Sequence, residues 1–324
     1  MQTQGTDAVA ITFDVPGVLD NRFDFVAGQW VTVRHTGAGR AGQRPYSICS
    51  PTGGPLRIGV RAAGEISARL VRDLRVGELI EVGEPRGAFG AGPAPGRALF
   101  VSAGSGITPV LSVIGTRLRD QRARIRLVRL EREPTREMFA DEISQLQHEH
   151  PDRLVVHRVW TRGPSGGRPD DARWRELLSD RKSMSGLTGA WLCGPYELLE
   201  HLRPVLAASG LPARRVHTEL FAAPEADRQV ANDVSTVRIR TGGRTRQLTV
   251  SRNSWLLDAV LRAGGDVPYS CRGAMCGACR ALVRQGDVDM SANHYLGSSE
   301  VAAGYVLACR TVALSPTVSL DFDA

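Results

Sequence analysis

The stretch SCRGAMCGACR, residues 270–280, decides how the C-terminal third of this chain folds. Its three cysteines, Cys271, Cys276 and Cys279, have the spacing C-x4-C-x2-C, and Cys309 is the only later cysteine. Four thiolates can hold either zinc or an iron–sulfur cluster. The small residues between the first three cysteines leave room for the backbone to curl around a metal and direct N–H groups at the sulfur atoms.

The spacing separates these two kinds of metal site. Structural zinc sites favour two C-x2-C-like pairs, whereas this chain has one such pair, a C-x4-C before it and a distant fourth cysteine. That arrangement is the plant-type spacing for a [2Fe–2S] cluster. We therefore expect a [2Fe–2S] cluster, with zinc as the alternative.

Length and composition exclude several classes of protein. A chain of 324 residues suits two or three domains, and 42% hydrophobic residues can build their cores. The start, MQTQGTDAVA, does not have the pattern of a signal peptide, and we find no 18-residue apolar run, so we expect no membrane association and a cytoplasmic location. The net charge of +7 comes almost wholly from arginines, with Lys182 the only lysine, and no arginine run exceeds two residues. This pattern favours arginine-rich codon usage over nucleic-acid binding.

The pattern of apolar, polar and turn-forming residues changes along the chain. Residues 1–95 alternate short apolar runs with glycine and proline turns, which predicts an antiparallel β-barrel. Residues 96–222 alternate strand and helix patterns, which predicts an α/β domain with a parallel sheet. Residues 223–233 are polar and aperiodic, as in a linker, and residues 234–324 open with a hairpin pattern around two glycines.

Two patterns in the α/β segment indicate a nucleotide site. The strand ALFVSA runs into Gly104–Pro109 and then a helix, and glycines at such a turn let a phosphate reach the free N–H groups of a helix N-terminus. Cys193 stands at the end of another strand, before Gly194 and Pro195. Ligands of open parallel sheets bind at that edge, although a lone cysteine is more often a small buried hydrophobe.

The barrel segment has two weaker patterns. Arg44-Pro45-Tyr46-Ser47 opens a strand, and its tyrosine ring can cover a flat cofactor while its arginine pairs with a phosphate. Gly64-Glu65-Ile66-Ser67 begins a helical stretch in which Ser67 would be the cap that offers N–H groups to an anion. Each pattern alone also fits ordinary surface and core positions.

In their order, RPYS, GEIS, GSGITP and LCGP resemble the ferredoxin–NADP reductase superfamily of flavoproteins. With the C-terminal cysteine loop, the chain resembles the oxygenase-reductase branch, and VHTELF (216–221) is similar to the reductases of phenylacetyl-CoA epoxidases and 3-ketosteroid 9α-hydroxylases. The resemblance implies a multidomain protein with a flavin-binding β-barrel, an NAD(P)H-binding α/β domain and an α+β β-grasp ferredoxin domain. It implies FAD rather than FMN as the flavin.

The resemblance also implies roles for individual residues. Flavin contacts are expected from Arg44, Pro45, Tyr46, Ser47, Gly64, Ser67 and Phe221. Contacts with the nicotinamide nucleotide are expected from Gly104, Gly106, Thr108, Pro109, Arg132, Cys193, Gly194 and Pro195. Hydride transfer is expected to involve Ser47, Cys193 and Glu219, with Cys193 as a neighbour of the nicotinamide and not a nucleophile.

Three departures from the family pattern mark this chain. Relatives carry one more strand before residues 7–15, so either the barrel lacks an edge or the true start lies upstream. Glu131 stands where relatives often have asparagine, and an acid beside Arg132 disfavours a 2′-phosphate, which favours NADH over NADPH. Ala274 replaces a usual glycine, at a cost of about 1 kcal/mol if its φ is positive.

Electron counting supports the same set of cofactors. NAD(P)H gives two electrons as a hydride and a [2Fe–2S] cluster takes one at a time, so a flavin is needed as converter. We therefore expect an electron-transfer reductase that serves a terminal oxygenase and works as a monomer. The alternatives are a stand-alone NAD(P)H-dependent flavin reductase with a structural zinc module, and a redox sensor, which the lack of an output domain disfavours.

Arginines surround the cluster ligands in the sequence. Arg272, Arg280, Arg284 and Arg310 lie close to the cysteines, and residues 234–324 hold ten arginines and seven acids. They form either a solvated face or a docking face for an acidic partner. The sequence leaves both interpretations open.

Overall fold

A computed structural model gives the architecture of the chain. It describes residues 1–35, 42–90, 96–163, 166–178, 186–221, 233–252, 254–269, 272–274, 277–293 and 295–324. By its internal contacts the chain divides into two compact units, Met1–Glu219 and Leu220–Ala324. The predicted barrel lies wholly in the first unit, as does nearly all of the predicted nucleotide segment. The bounds of the four predicted segments stay predictions, and the linker lies almost wholly outside the described residues.

The N-terminal part of the first unit is an antiparallel barrel, as predicted. Its strands are β1 (Gln2–Gln4), β2 (Ala8–Thr12), β3 (Trp30–His35), β4 (Gly42–Ser47), β5 (Arg57–Arg61) and β6 (Glu81–Val82), and its helices are α1 (Asp20–Phe23) and α2 (Glu65–Arg72). The described strands form two antiparallel sheets, β1-β2-β5 and β4-β3-β6, which a bridge between Ile48 and Ile58 connects. Alternate residues of these strands, such as Val31, Val33 and Val60, fill the barrel core.

The barrel has an edge strand formed by the first residues of the chain. The polar segment β1 pairs with β2 in antiparallel register and forms the edge of the first sheet. The side chain of Gln4 is buried, and its Oε1 accepts a hydrogen bond of 2.8 Å from the Phe139 amide. A strand therefore precedes residues 7–15 in this chain, and it is β1.

The rest of the first unit is a doubly covered parallel sheet. Its strands are β7 (Arg97–Ala103), β8 (Arg124–Glu131), β9 (Leu154–Trp160), β10 (Leu187–Cys193) and β11 (Val216–Glu219), and its helices are α3 (Ile107–Arg117), α4 (Ala140–Glu149), α5 (Asp171–Leu178) and α6 (Tyr196–Ala208). The strand order is β11-β10-β7-β8-β9, and every pair is parallel. Apolar strands such as β7 are buried because helices cover both faces of such a sheet. The predicted alternation of strands and helices is confirmed.

One face of β5 joins the barrel to this sheet. Side chains at alternate positions of a strand share a face, and Arg57, Gly59 and Arg61 all contact the nucleotide-binding part. A Cβ atom on Gly59 would lie 2.5 Å from Cγ2 of Thr108. The missing side chain at position 59 therefore lets the two parts approach closely.

The second unit has the mixed sheet of a β-grasp fold. Its strands are β12 (Val234–Thr241), β13 (Arg244–Ser251), β14 (Arg280–Gln285), β15 (Val288–Met290), β16 (Tyr305–Leu307), β17 (Thr311–Ala313) and β18 (Thr317–Asp321), and its helices are α7 (Leu256–Arg262) and α8 (Ser298–Ala302). The order β13-β12-β18-β14-β16 places the N- and C-terminal strands of the unit side by side, in parallel. The predicted hairpin turns at Gly242 and Gly243, whose φ angles are 56° and 72°.

Among the helices that the structure describes, we find none with the length and apolar character that crossing a bilayer requires.

Candidate functional site

The glycine turn after β7 is shaped by close contacts. Gly104 has a φ of 57°, in the left-handed region that favours glycine. A Cβ atom on Gly106 would lie 2.3 Å from the carbonyl oxygen of Cys193. The turn and the end of β10 therefore touch, as the carboxyl edge of a parallel sheet requires for a shared ligand site.

Thr108 and Pro109 lie beneath this turn. Both are buried, and Thr108 Oγ1 donates a hydrogen bond of 3.0 Å to the Ser105 carbonyl. The side chain of Thr108 faces Gly59 of the barrel. In this position Thr108 fastens the turn to the barrel, and its predicted contact with the nucleotide stays a prediction.

Three residues that the sequence places far apart meet at this edge. Ser47 Oγ donates a hydrogen bond of 2.7 Å to Glu219 Oε1. Glu219 and Cys193 are register partners on β11 and β10, so their side chains lie on the same face of the sheet. Ser47, Cys193 and Glu219, predicted as the hydride-transfer set, thus form one cluster where the barrel meets the sheet.

The thiol of Cys193 is fully buried. Burial raises its pKa well above the ordinary value, and the negative charge of Glu219 acts in the same direction. The group is therefore a neutral thiol at neutral pH. This agrees with the predicted role as a neighbour of the nicotinamide, because a nucleophilic cysteine needs a lowered pKa.

The predicted flavin residues lie on two faces of β4. Side chains alternate along a strand, so Arg44 and Tyr46 share one face, while Pro45 and Ser47 share the other. Tyr46 packs against the barrel core, and burial raises its pKa to about 12 despite the opposing charge of Arg44. Arg44 is exposed.

Helix α2 begins at Glu65, inside the GEIS motif, and not after Ser67. Gly64 is the N-cap of α2, and Ser67 is its third residue. The hydroxyl of Ser67 accepts hydrogen bonds from the amides of Ala63 and Gly64, at 3.0 and 2.9 Å. Ser67 therefore caps the helix as the third residue of a capping box with Gly64, and its predicted contact with the flavin stays a prediction. Phe221 is 44% exposed, and its predicted ring contact stays a prediction.

The carboxylate of Glu131 does not face outward beside Arg132. Its Oε2 accepts hydrogen bonds from Arg61, at 2.8 Å, and from Arg129, at 3.0 Å, and its side chain is 2% exposed. Burial acts to raise the pKa of Glu131, but these two arginines outweigh it and the pKa is lowered. Because this carboxylate is paired with two arginines, its contacts do not support repulsion of a 2′-phosphate by Glu131, and the preference for NADH stays a prediction.

Three charged residues near this site were not predicted from the sequence. Arg129 is fully buried within β8, and burial lowers its pKa to about 10, so it stays charged at neutral pH. Arg61 and Asp7 pair with each other, at 3.3 Å. The sequence does carry a signal for Arg129, because an arginine inside the apolar run IRLVRL predicts a buried charge. A buried charge needs a charged partner nearby.

A cavity of about 460 Å³ opens beyond the carboxyl end of β9. Its lining includes Trp160 and the arginines Arg158, Arg168 and Arg173. Two of these arginines are paired within the unit, Arg158 with Glu137 at 3.0 Å and Arg173 with Glu176 at 2.5 Å. Arg132 is exposed at the same edge, and its carbonyl accepts a hydrogen bond from the Arg162 amide, at 3.0 Å.

The described part of the cysteine loop fits an iron–sulfur ligand set. Cys279 and Cys309 are buried, and the Ala308 amide donates a hydrogen bond of 3.1 Å to the Cys279 carbonyl, which brings the two cysteines to neighbouring segments. The Ala274 amide lies 3.3 Å from Cys309 Sγ. Amide groups directed at ligand sulfur atoms are what a cluster site requires. Cys271 and Cys276 lie outside the described residues.

The backbone of this loop turns in the left-handed region. Arg272, Ala274 and Gly277 have φ angles of 52°, 60° and 70°. A Cβ atom on Gly277 would lie 2.2 Å from the ring of Tyr295. Ala274 thus meets the condition of a positive φ, so this position carries the strain that a glycine would avoid.

The arginines around the loop have partners inside the second unit. Arg272 pairs with Asp258 at 3.5 Å, Arg280 with Glu300 at 3.1 Å, and Arg284 with Asp321 at 2.9 Å. Arg310 lies over the ring of Trp255, 5.1 Å from its centroid. Three of the four charges are therefore offset locally, and a docking face for an acidic partner stays a prediction.

Comparison with known proteins adds family matches. Residues 239–314 match the 2Fe-2S iron-sulfur cluster binding domain, and residues 100–203 match the oxidoreductase NAD-binding domain. The chain is 33% identical to one of the subunits of 1,2-phenylacetyl-CoA epoxidase from Escherichia coli K12, over 100% of this chain and 96% of the relative. It is 30% identical to the ferredoxin reductase component of 3-ketosteroid-9-alpha-monooxygenase of Rhodococcus rhodochrous, over 98% of this chain and 93% of the relative.

A solved structure shares the fold over nearly the whole length. Phthalate dioxygenase reductase superposes with a TM-score of 0.62 at 24% identity, over 99% of this chain and 95% of that one. The order of barrel, parallel sheet and β-grasp unit is therefore a known arrangement. The chain is an oxidoreductase that belongs to the oxygenase-reductase branch of the ferredoxin–NADP reductase superfamily, with a C-terminal [2Fe–2S] domain.

Proposed function

We propose that this chain takes a hydride from NADH at the carboxyl edge of its parallel sheet, on FAD held by the barrel, and passes single electrons through its [2Fe–2S] cluster to a terminal oxygenase. The observation that carries the proposal is the meeting of Ser47, Cys193 and Glu219 beside the glycine turn. Flavin, when bound, accepts two electrons together and releases them one at a time.

The residues of this cluster have separable tasks. Glu219 offers carboxylate oxygens that can accept from the carboxamide N–H of a nicotinamide, and the hydrogen bond from Ser47 holds that carboxylate in place. Cys193 contributes a neutral, buried surface next to Gly106, where no larger residue fits. Orientation, more than proton transfer, is therefore what these side chains supply.

The preference for NADH is supported by the cavity beyond β9. Two of the three arginines that line it, Arg158 and Arg173, are engaged by glutamates. A second phosphate on the adenosine ribose would have to compete with those carboxylates. The ratio of kcat/KM for NADH and NADPH measures this, and a clear excess for NADPH would contradict it.

The proposal is tested by anaerobic mixing of the purified protein with NADH. The flavin absorbance is expected to bleach first and the cluster absorbance afterwards. A protein that oxidises NADH and contains zinc in place of iron would be a stand-alone reductase with a structural metal. The predicted monomeric state is measured by sedimentation of the same sample.

A further inference from the structure

A line of five charged side chains crosses the first unit from its N-terminal strand to the parallel sheet. We call it the charge chain; its members in order of contact are Arg136, Asp7, Arg61, Glu131 and Arg129. The distances are 3.3 Å between Arg61 and Asp7, 2.8 Å between Arg61 and Glu131, and 3.0 Å between Arg129 and Glu131. Arg136 pairs with Asp7 at the outer end.

The inner part of the charge chain is shielded from water. The side chains of Arg61, Glu131 and Arg129 are 11%, 2% and 0% exposed. Buried charges are tolerated only when they are paired, and removal of one partner leaves the others uncompensated. Glu131 stands between the two arginines and pairs with both of them, while Asp7 pairs with Arg61 from the other side.

The charge chain links the two halves of the candidate site. Arg61 belongs to the barrel strand β5, and its guanidinium lies 3.3 Å from where a Cβ atom on Gly104 would be. Arg129 belongs to β8 of the parallel sheet, close enough for its charge to act on the thiol of Cys193. The carboxylate of Glu131 therefore joins the barrel to the sheet at the glycine turn, next to the Ser47–Glu219 contact.

We propose that Glu131 is a positioning residue, which fixes β5 against β8 and so sets the distance between the flavin and nicotinamide sites. The inference rests on the proposed function. Hydride transfer requires reacting atoms about 3–3.5 Å apart, and a misplacement of about 1 Å costs on the order of 100-fold in rate. A buried acid with one arginine partner in the barrel and another in the parallel sheet is suited to hold such a distance.

The chain offers a matched control for this idea. Glu142, on α4 of the parallel-sheet part, also pairs with an arginine of β5, because it lies 2.9 Å from Arg57. The side chain of Glu142 is 37% exposed, however. Glu142→Gln therefore removes a carboxylate that bridges the same two parts at the rim. This pair is only partly buried, so its removal is expected to destabilise the protein less than removal of the buried Glu131 carboxylate.

The first measurement needs no NADH. Hydrogen exchange of the purified protein is compared for wild type, Glu131→Gln and Glu142→Gln. Glu131→Gln is expected to raise exchange at least threefold in peptides covering residues 57–62 and 100–108, and Glu142→Gln to leave residues 100–108 unchanged. Equal protection of residues 100–108 in all three proteins overturns the inference.

The second measurement separates positioning from binding. Anaerobic mixing at several NADH concentrations gives a dissociation constant and a limiting rate of flavin bleaching. Glu131→Gln is expected to lower the limiting rate at least tenfold and change the dissociation constant less than threefold, while Glu142→Gln changes neither. Wild type that fails to bleach contradicts the proposed function itself, whereas an unchanged limiting rate in Glu131→Gln overturns only the positioning role.

If Glu131→Gln does not fold, Arg61→Lys tests the same link, because it keeps the charge and loses the fixed geometry of the guanidinium. It is expected to lower the limiting rate at least fivefold. A normal limiting rate in Arg61→Lys overturns the inference.

Discussion

Ser47 Oγ lies 2.7 Å from Glu219 Oε1, although 172 positions separate the two residues in the chain. Ser47 ends the barrel strand β4, and Glu219 ends β11 at the edge of the parallel sheet. This hydrogen bond joins the part of the chain assigned to the flavin with the part assigned to the nicotinamide. Its loss should therefore impair the transfer step more than the binding of either cofactor.

Glu219→Gln is expected to reduce the limiting rate of flavin bleaching by NADH about 10- to 100-fold, since an amide in this position no longer orients the nicotinamide in the same way. Rapid mixing measures the rate. Ser47→Ala should have a smaller effect of the same kind, and the double variant should be less impaired than the product of both, because the residues act through one hydrogen bond. Glu149→Gln, on the exposed side of α4, serves as control.

Cys309→Ala should abolish the cluster. The Ala274 amide at 3.3 Å from Cys309 Sγ and the burial of this cysteine support its predicted role as a ligand inside the β-grasp unit. Iron content and visible absorbance should fall to background, while NADH still bleaches the flavin. Cys49→Ala removes another buried cysteine, in the barrel, and should keep its iron. Full iron content in Cys309→Ala would refute the assignment.

Ala274 should respond to substitution according to its positive φ of 60°. Ala274→Gly relieves about 1 kcal/mol of backbone strain but loses a buried methyl group worth about 0.8 kcal/mol, so the free energy of unfolding should change by less than about 1 kcal/mol. Ala274→Val places a β-branched residue where φ is positive and should destabilise the unit by more than about 2 kcal/mol. Denaturant unfolding of the iron-loaded protein measures both. Equal stability of the valine and glycine variants would contradict the observed backbone.

His217 should make the first unit sensitive to acid. Its ring stacks on Trp191 at 4.8 Å, and burial, together with the charge of Arg117, lowers its pKa. The unfolded chain therefore takes up a proton first as the pH falls, and the free energy of unfolding declines below about pH 6.5. His217→Phe keeps a stacked ring without titration and should make this decline shallower.

In His217→Phe the free energy of unfolding should still decline somewhat at low pH. This remaining decline is expected from groups such as His157, whose pKa is also lowered by burial. His148→Gln, at an exposed position on α4, serves as the control substitution. Urea unfolding at about pH 7.5 and about pH 5.5 compares the three proteins. An equally steep decline in wild type and His217→Phe would contradict the prediction.

Local patterns were sufficient for most of the elements of regular structure. The period of apolar residues predicted the strands of the parallel sheet, and Gly242 and Gly243 predicted the hairpin of the β-grasp unit, because turn chemistry and burial act over a few residues. The strand β1 was missed because its residues, Gln2–Gln4, are polar and are ordered by partners far along the chain.

The candidate site was predictable only in part. The residues at its centre follow from motifs, but the inward turn of Glu131 does not, since it depends on Arg61, 70 positions earlier. The sequence alone does not show where the carboxylate of Glu131 points. Only the fold decides whether it contacts solvent or two arginines. Ala274 shows the opposite case, because the missing glycine already pointed to the strained backbone that the structure contains.

The most direct test of the account is an anaerobic titration of the purified protein with NADH, followed by visible absorbance and electron paramagnetic resonance. A flavin and a [2Fe–2S] cluster together take up three electrons, so complete reduction should require about 1.5 molecules of NADH per chain and produce the resonance signal of a reduced cluster. Bleaching of flavin alone, complete at about one NADH per chain with no cluster signal, would contradict the central claim that electrons leave through the cysteine loop.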